Sequence, residues 1–294
     1  WFRVIGVLTK DSPYAFSSVL AVYLAGIAMG SFAVNVWLGR HQGINKRTLF
    51  FGLQFLIGLS VALTFISYFY LTTHTGIGSL TRASFFTDLH PDWPGRETLL
   101  HASSFKGWLL GLYRLVDVFF WSVVFVWIPT VLMGASFPLV SFLALDRRDE
   151  EGKTVGLVSC FAIAGNALGG VLTGLVVLPY LGTELSVLLF CSVGIAFGIV
   201  LFGDHGIRLP LVVRGTLVAV LLSGIVIAFP RKGDLYEAMH SPPGRGFDLY
   251  IEEGIDGVVV TYQRGIAVQL YINGSSHGHP PGYHQYYRAI EAMS

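Results

Sequence analysis

The side chains best suited to chemistry crowd one stretch of this chain, INGSSHGHPPGYHQYYRAIEAMS at residues 272–294. His277, His279 and His284 offer imidazoles, and Tyr283, Tyr286 and Tyr287 offer aromatic faces beside Arg288. Two chemistries are open to such a set. Three imidazoles can hold a zinc-type ion, with His277 and His279 on one face if an extended strand runs through them. Tyrosine faces can hold an ammonium ion, each contributing about 0.5 to 2 kcal/mol. The metal reading is the weaker one. Gly278, Pro280 and Pro281 make the segment a loop, and no acidic residue between Ile272 and Arg288 could orient the imidazoles as metal sites require. No metal is expected.

The elements that must position these residues belong to a membrane protein. Of 294 residues, 53% are hydrophobic and only 13% charged, and the mean hydropathy is +0.63; an ordinary globular chain carries about 25% charged residues. A formal net charge of +1 supplies no clustered basic face for nucleic acid, which is excluded as a partner. Cys160 and Cys191 both fall in apolar runs and read as small buried hydrophobes.

A bilayer core about 30 Å thick needs roughly 20 mainly apolar residues per helix. Six stretches qualify, at residues 14–38, 49–71, 116–145, 155–178, 185–201 and 211–229. The third holds Pro129 and Pro138, which predicts a kinked or broken helix whose freed carbonyls are buried against neighbours. Lys and Arg near helix ends stay cytoplasmic. Arg40, Lys46 and Arg47 follow the first stretch, Arg147, Arg148 and Lys153 the third, and Arg208 and Arg214 the fifth. The turn at 180–184 has no basic residue, and the loop at 72–111 spreads Arg82, Arg96 and Lys106 thinly. Residues 39–48 are therefore expected inside, with Trp1 and everything after Arg231 outside the cytoplasm. The start at Trp1, without Met or a signal sequence, reads as an excerpt that has lost something at its front, and an omitted first helix would put the N-terminus in the cytoplasm.

Lipid offers little drive for helix association, so close packing depends on small residues. Four GxxxG pairs occur: Gly26 with Gly30, Gly165 with Gly169, Gly170 with Gly174, and Gly194 with Gly198. The fourth stretch, with two overlapping pairs, is expected at the bundle centre. Polar groups inside the stretches are few: Asn35, Gln54, Asp117 and Asn166. They form no chain of carboxylates of the kind that ion-coupled carriers use, which leaves small-molecule transport as a third-ranked function.

The third stretch ends in VLMGASFPLVSFLAL, the fourth reads GLVSCFAIAGNALGGVLTGLVVLPYLGT, and the first begins SPYAFSSVLAVYLAGIAMGS. In this order the three strings resemble the membrane half of bacterial fused proteins, in which a domain similar to half a major-facilitator transporter precedes a spermidine synthase-like domain. The stretch at 133–138 is the most specific part. Near the other end, DLYIEEGIDGVVVTYQRGIAVQLYINGSSHG alternates apolar and polar residues at Val258, Val260 and Tyr262 and again around Val268, Leu270 and Ile272, with Gln263 to Gly265 as the turn. This reads as a small antiparallel sheet and resembles the N-terminal β-domain of spermidine synthases. Asn273 and Gly274 stand at that family's Asp-Gly position, Gly282 and Tyr283 at its Asp-Glu, and Tyr286, Tyr287 and Arg288 at its Tyr-His-Glu. The aromatic faces remain while the acids that would attract a polyamine are replaced, and Arg288 repels one.

The apolar stretches and the alternation together give a fold that is mainly α, a polytopic helix bundle over 1–230 with a small antiparallel β-domain over 231–294, which the Lys and Arg asymmetry puts outside the cytoplasm; the resemblance implies a half major-facilitator-like bundle in a bacterial plasma membrane. It implies a substrate wall of Asn273, Gly274, Tyr283, Tyr286 and Tyr287. No catalytic residue is assigned, and no cofactor is expected within this chain; decarboxylated S-adenosylmethionine would require a following nucleotide-binding domain. The leading expectation is thus a membrane-integral spermidine synthase-like protein that is not catalytic as it stands. The alternative is a non-catalytic accessory subunit of a larger membrane complex, with Phe85, Phe86, Trp93 and Trp108 of the 72–111 loop making contacts. Expected partners are the lipid bilayer and other membrane subunits or further copies of the chain.

Overall fold

The computed structural model describes residues 1–9, 13–41, 43, 45–74, 105–144, 151–204, 210–240, 248–254, 256–264 and 267–276. Its helices are α1 (Phe2–Leu8), α2 (Pro13–Arg40), α3 (Lys46–His74), α4 (Phe105–Ala144), α5 (Glu151–Leu172), α6 (Leu178–Ala196), α7 (Gly198–Asp204), α8 (Leu211–Ala228) and α9 (Asp234–His240), with a π-helical turn at Thr173–Val177. Strands β1 (Asp248–Glu253), β2 (Val258–Arg264), β3 (Ala267–Ile272) and β4 (Ser275–Ser276) follow. Among the described residues, five helical stretches are long and apolar enough to cross a membrane: Ala15–Arg40, Lys46–His74, Phe119–Ala144, Val155–Phe202 and Leu211–Ala228.

The 48-residue stretch Val155–Phe202 is not one straight rod. At 1.5 Å per residue it would extend about 72 Å, more than twice a bilayer core. Gly182 breaks it with φ 77° and ψ 177°, a conformation in which a Cβ would clash and which glycine alone adopts readily. Pro179 lies just ahead of the break.

The chain groups into two units, one of Trp1–Val19, Ser67–Ser122 and Pro230–Ser294, the other of Leu20–Ile66 and Val123–Phe229. The second unit is held by two helix seams. Along the first, α2 meets α4. A Cβ on Gly30 would fall on the Val131 carbonyl oxygen, one on Gly26 on the Thr130 hydroxyl, and one on Gly134 on the Ile27 carbonyl. Helix α4 continues through both prolines instead of breaking. Pro138 has no N–H to bond the carbonyl four residues back, at Gly134. Ser31 Oγ, reaching over from α2, donates to that carbonyl at 2.8 Å. The seam thus satisfies the group that proline releases, and it does so where the backbones approach most closely.

Along the second seam α3 meets α6. A Cβ on Gly58 would stand 2.6 Å from the Cys191 carbonyl oxygen, and one on Gly194 would stand 2.9 Å from Gly58 Cα. Gly198 lies against Phe55 and Val218. Helix α3 also meets α4, where Phe65 is edge-on to Phe125 at 5.3 Å.

The expectation for the fourth apolar stretch is corrected. Gly165, Gly169, Gly170 and Gly174 have no atom within 4 Å of where a Cβ would stand, and α5 is exposed along residues 163–172. Cys160 is exposed on the same helix, whereas Cys191 is buried. The reason is physical: glycine permits a close approach and does not supply the facing ridge. Thr130, Val131 and Ala135 supply it opposite Gly26 and Gly30, and Gly58 opposite Gly194.

The first unit has its own core. Val4, Ile5, Val7 and Leu8 of α1 are fully enclosed, as are Leu235, Tyr236 and Met239 of α9 and Val258 and Val260 of β2. The antiparallel sheet runs in the order β1-β2-β3-β4. Gln263 and Arg264 are strand residues paired with Val268 and Ala267, so Gln263, expected to open the turn, belongs to β2 instead. Ser18 and Ser122, both buried, share a hydrogen bond of 2.8 Å. The unit draws on three separate segments of chain.

Candidate functional site

The sheet carries the two members of the expected substrate wall that the structure describes, Asn273 and Gly274. They form the β3–β4 turn with φ values of 49° and 78°, the pair of positive φ angles of a type I′ hairpin, for which Asn-Gly is the preferred dipeptide. The Asn273 N–H donates to the Val258 carbonyl at 2.9 Å, and its Oδ1 accepts from the Val258 N–H at 2.9 Å. Gly257 lies so close that a Cβ there would fall on the Asn273 side chain. Asn273 therefore closes the start of β2. Tyr283, Tyr286, Tyr287, Arg288 and the histidines at 277, 279 and 284 lie outside the described residues, as do Phe85, Phe86, Trp93 and the Trp108 side chain.

Two features of this unit join positions too far apart in sequence to be linked by any local pattern. Arg3 Nη1 stands 3.5 Å from Glu253 Oε2, with both side chains largely buried, and Arg3 Nη2 donates to the Gly254 carbonyl at 2.8 Å. This fixes α1 to the end of β1. On the other flank α9 lies against β1. Its His240 donates from Nδ1 to the Tyr236 carbonyl at 2.8 Å and sets its ring edge-on to Tyr271 at 5.4 Å.

Burial pushes the His240 imidazole down to about 4, outweighing the hydrogen bond to Tyr236, which acts to raise it. The unfolded chain, with an ordinary value of 6.5, then binds the proton more readily than the folded one. The corresponding stability is present above pH 6.5 and is lost as pH falls from there to about 4, amounting to about 3 kcal/mol. Thermal melts of the purified chain should show this loss, and His240→Asn, which keeps a donor near Nδ1, should flatten it. A wild-type melting temperature that is level from pH 7 to pH 4 would remove His240 as its cause.

In the second unit, a polar cluster at the Gly182 break was not legible as such. Thr183, Glu184 and Ser186 are all buried, and Ser186 Oγ donates to the Gly182 carbonyl. A buried carboxylate beside broken helical backbone is the usual setting of a proton or cation site in apolar surroundings. The signal was the lone acidic residue after Pro179 and Gly182, read as an ordinary outer turn. The polar residues singled out from the apolar stretches are spread over the helices: Asn35 and Asn166 are exposed on α2 and α5, Gln54 is half-buried on α3, and the Asp117 side chain is outside the described set. Among the described residues no group of three His, Cys, Asp or Glu side chains could hold a metal ion.

Comparison with protein-family models, with curated proteins and with solved structures returned no match for this chain.

Proposed function

We propose that this chain is the membrane-embedded part of a spermidine synthase-like protein, a non-catalytic anchor that holds a small β-domain on the outer face of a bacterial plasma membrane. The observation that carries the reading is the joining of a β-meander ending in Asn273-Gly274 to a run of five apolar helical stretches. In this reading Val155–Phe202 crosses twice about Gly182, which makes six crossings and puts both flanking segments on one side. The Lys and Arg residues at 40, 46 and 47 argue that this side is extracytoplasmic. Asn273 supports a structural role for the sheet, because both its backbone N–H and its Oδ1 are engaged with Val258. The exposed length of α5, with Phe161 and Ile163 each 70% exposed, favours the accessory-subunit reading as the second choice.

A cysteine placed at Ser275 should be modified by a membrane-impermeant thiol reagent in intact cells, against a background lacking Cys160 and Cys191. Protection until lysis would overturn the orientation. The same purified chain, given putrescine and decarboxylated S-adenosylmethionine, should yield no spermidine, and product formation would overturn the anchor reading.

A further inference from the structure

Three helix ends meet at one end of the second unit. Arg40 ends α2 with His41 just beyond it, Lys46 and Arg47 begin α3, and Phe142 lies in the last turn of α4. An apolar cluster of Val34, Leu38, Leu53, Ala135 and Leu139 packs these ends together. Lys46 Nζ lies 4.7 Å from the centre of the Phe142 ring, and the Arg47 guanidinium lies 5.9 Å from that of Phe51. Asn45 Oδ1 accepts from the N–H groups of Arg47 and Thr48 at 3.1 and 3.3 Å, so the first amides of α3 are already capped. The positive charge is carried by side chains. Arg40, Lys46 and Arg47 are exposed, and among the described residues none of the three pairs with a carboxylate. Within α2, α3 and the connection between them the sequence supplies no Asp or Glu.

We propose that this three-helix end binds the headgroup phosphate of an anionic phospholipid. The inference does not rest on the spermidine synthase-like reading. Charge complementarity selects an anion, since cations beside an apolar helix end attract anionic headgroups from a bilayer surface. The neighbouring side chains select a lipid. Phe142 and Trp37 are exposed just on the apolar side of the cations, and Trp37 packs beside His41 at 5.5 Å between ring centres, the placement of interfacial aromatics. A free phosphate would gain nothing from those rings, whereas acyl chains and glycerol backbones lie against them. The contacts with Phe142 and Phe51 hold the two α3 cations to the side of the bundle, at the level where a headgroup stands.

The test is lipid retention by the purified full chain, measured by native mass spectrometry after exposure to phosphatidylglycerol and phosphatidylcholine of the same acyl composition. Wild type should retain the anionic lipid over the zwitterionic one by about tenfold or more, and each of Arg40→Ala, Lys46→Ala and Arg47→Ala should reduce this by roughly fivefold. The charge-keeping triple Arg40→Lys, Lys46→Arg, Arg47→Lys should retain most of the preference. Because an alanine variant could fold poorly, the wild type supplies a second readout: about 0.5 M NaCl should erase its preference by screening. Equal retention of the two lipids, a salt-insensitive preference, or a preference unchanged in the triple alanine variant would each overturn the proposal. So would full competition by glycerol 3-phosphate, which would assign the site to soluble phosphate.

Discussion

Gly30→Ala will prevent α2 from docking on α4. The added carbon falls on the Val131 carbonyl oxygen and stands 2.8 Å from the Ala135 nitrogen. These are backbone atoms inside a helix, so no rotamer change makes room and the helices must move apart. Separation stretches the Ser31 hydrogen bond to Gly134 and opens the cluster of Val34, Leu38, Ala135 and Leu139. Overpacking of this kind costs about 3 kcal/mol, the upper part of its usual range, because the strain is carried by backbone. Gly169→Ala is the contrasting change. It meets nothing within 4 Å and should shift stability by no more than about 0.5 kcal/mol. Denaturation midpoints in mixed micelles will rank the two, and equal midpoints would show that the α2–α4 seam is not where the bundle is held.

Arg3→Met will destabilise the first unit by about 3 kcal/mol. The substitution preserves much of the side-chain volume and leaves Glu253, whose side chain is 3% exposed, as an enclosed carboxylate lacking its ion-pair partner, along with a Gly254 carbonyl that has lost its donor. Breaking one side of an enclosed ion pair is costly, whereas replacing both sides by apolar groups of similar volume is often close to neutral. The double variant Arg3→Met, Glu253→Leu should therefore recover most of the loss. Hydrogen exchange of the β1 and β2 amides reads the effect locally. Additive losses in the double variant would refute the coupling, and unaltered exchange in Arg3→Met would show that α1 is not fixed through this pair.

What could be seen in advance divides along the range of the interaction. The apolar stretches were legible because desolvation of backbone acts over some 20 consecutive residues, and their limits at Arg40, Lys46 and Leu211 are marked by charge or proline. The Asn273-Gly274 turn was legible as a strand end because both residues tolerate positive φ. Glycine spacing marked Gly26, Gly30, Gly194 and Gly198, yet it marked Gly165, Gly169, Gly170 and Gly174 equally, since a spacing on one helix contains nothing about the helix opposite. Gly58, which makes one of the tightest approaches, has no glycine four residues away and left no pattern. Arg3 and Glu253 are 250 positions apart, and no periodicity couples them. Glu184 was visible as a residue, but its enclosure follows from the break at Gly182, which a hydropathy profile averages away.

The exchange at Pro138 has a consequence for biosynthesis. Inserted alone, α4 would place the Gly134 carbonyl in hydrocarbon without a donor, a state that lipid cannot relieve. Ser31 lies about a hundred residues earlier in the chain and is already synthesised when α4 leaves the ribosome. The order of translation therefore delivers the donor before the acceptor, so Ser31 of α2 exists before α4 needs it.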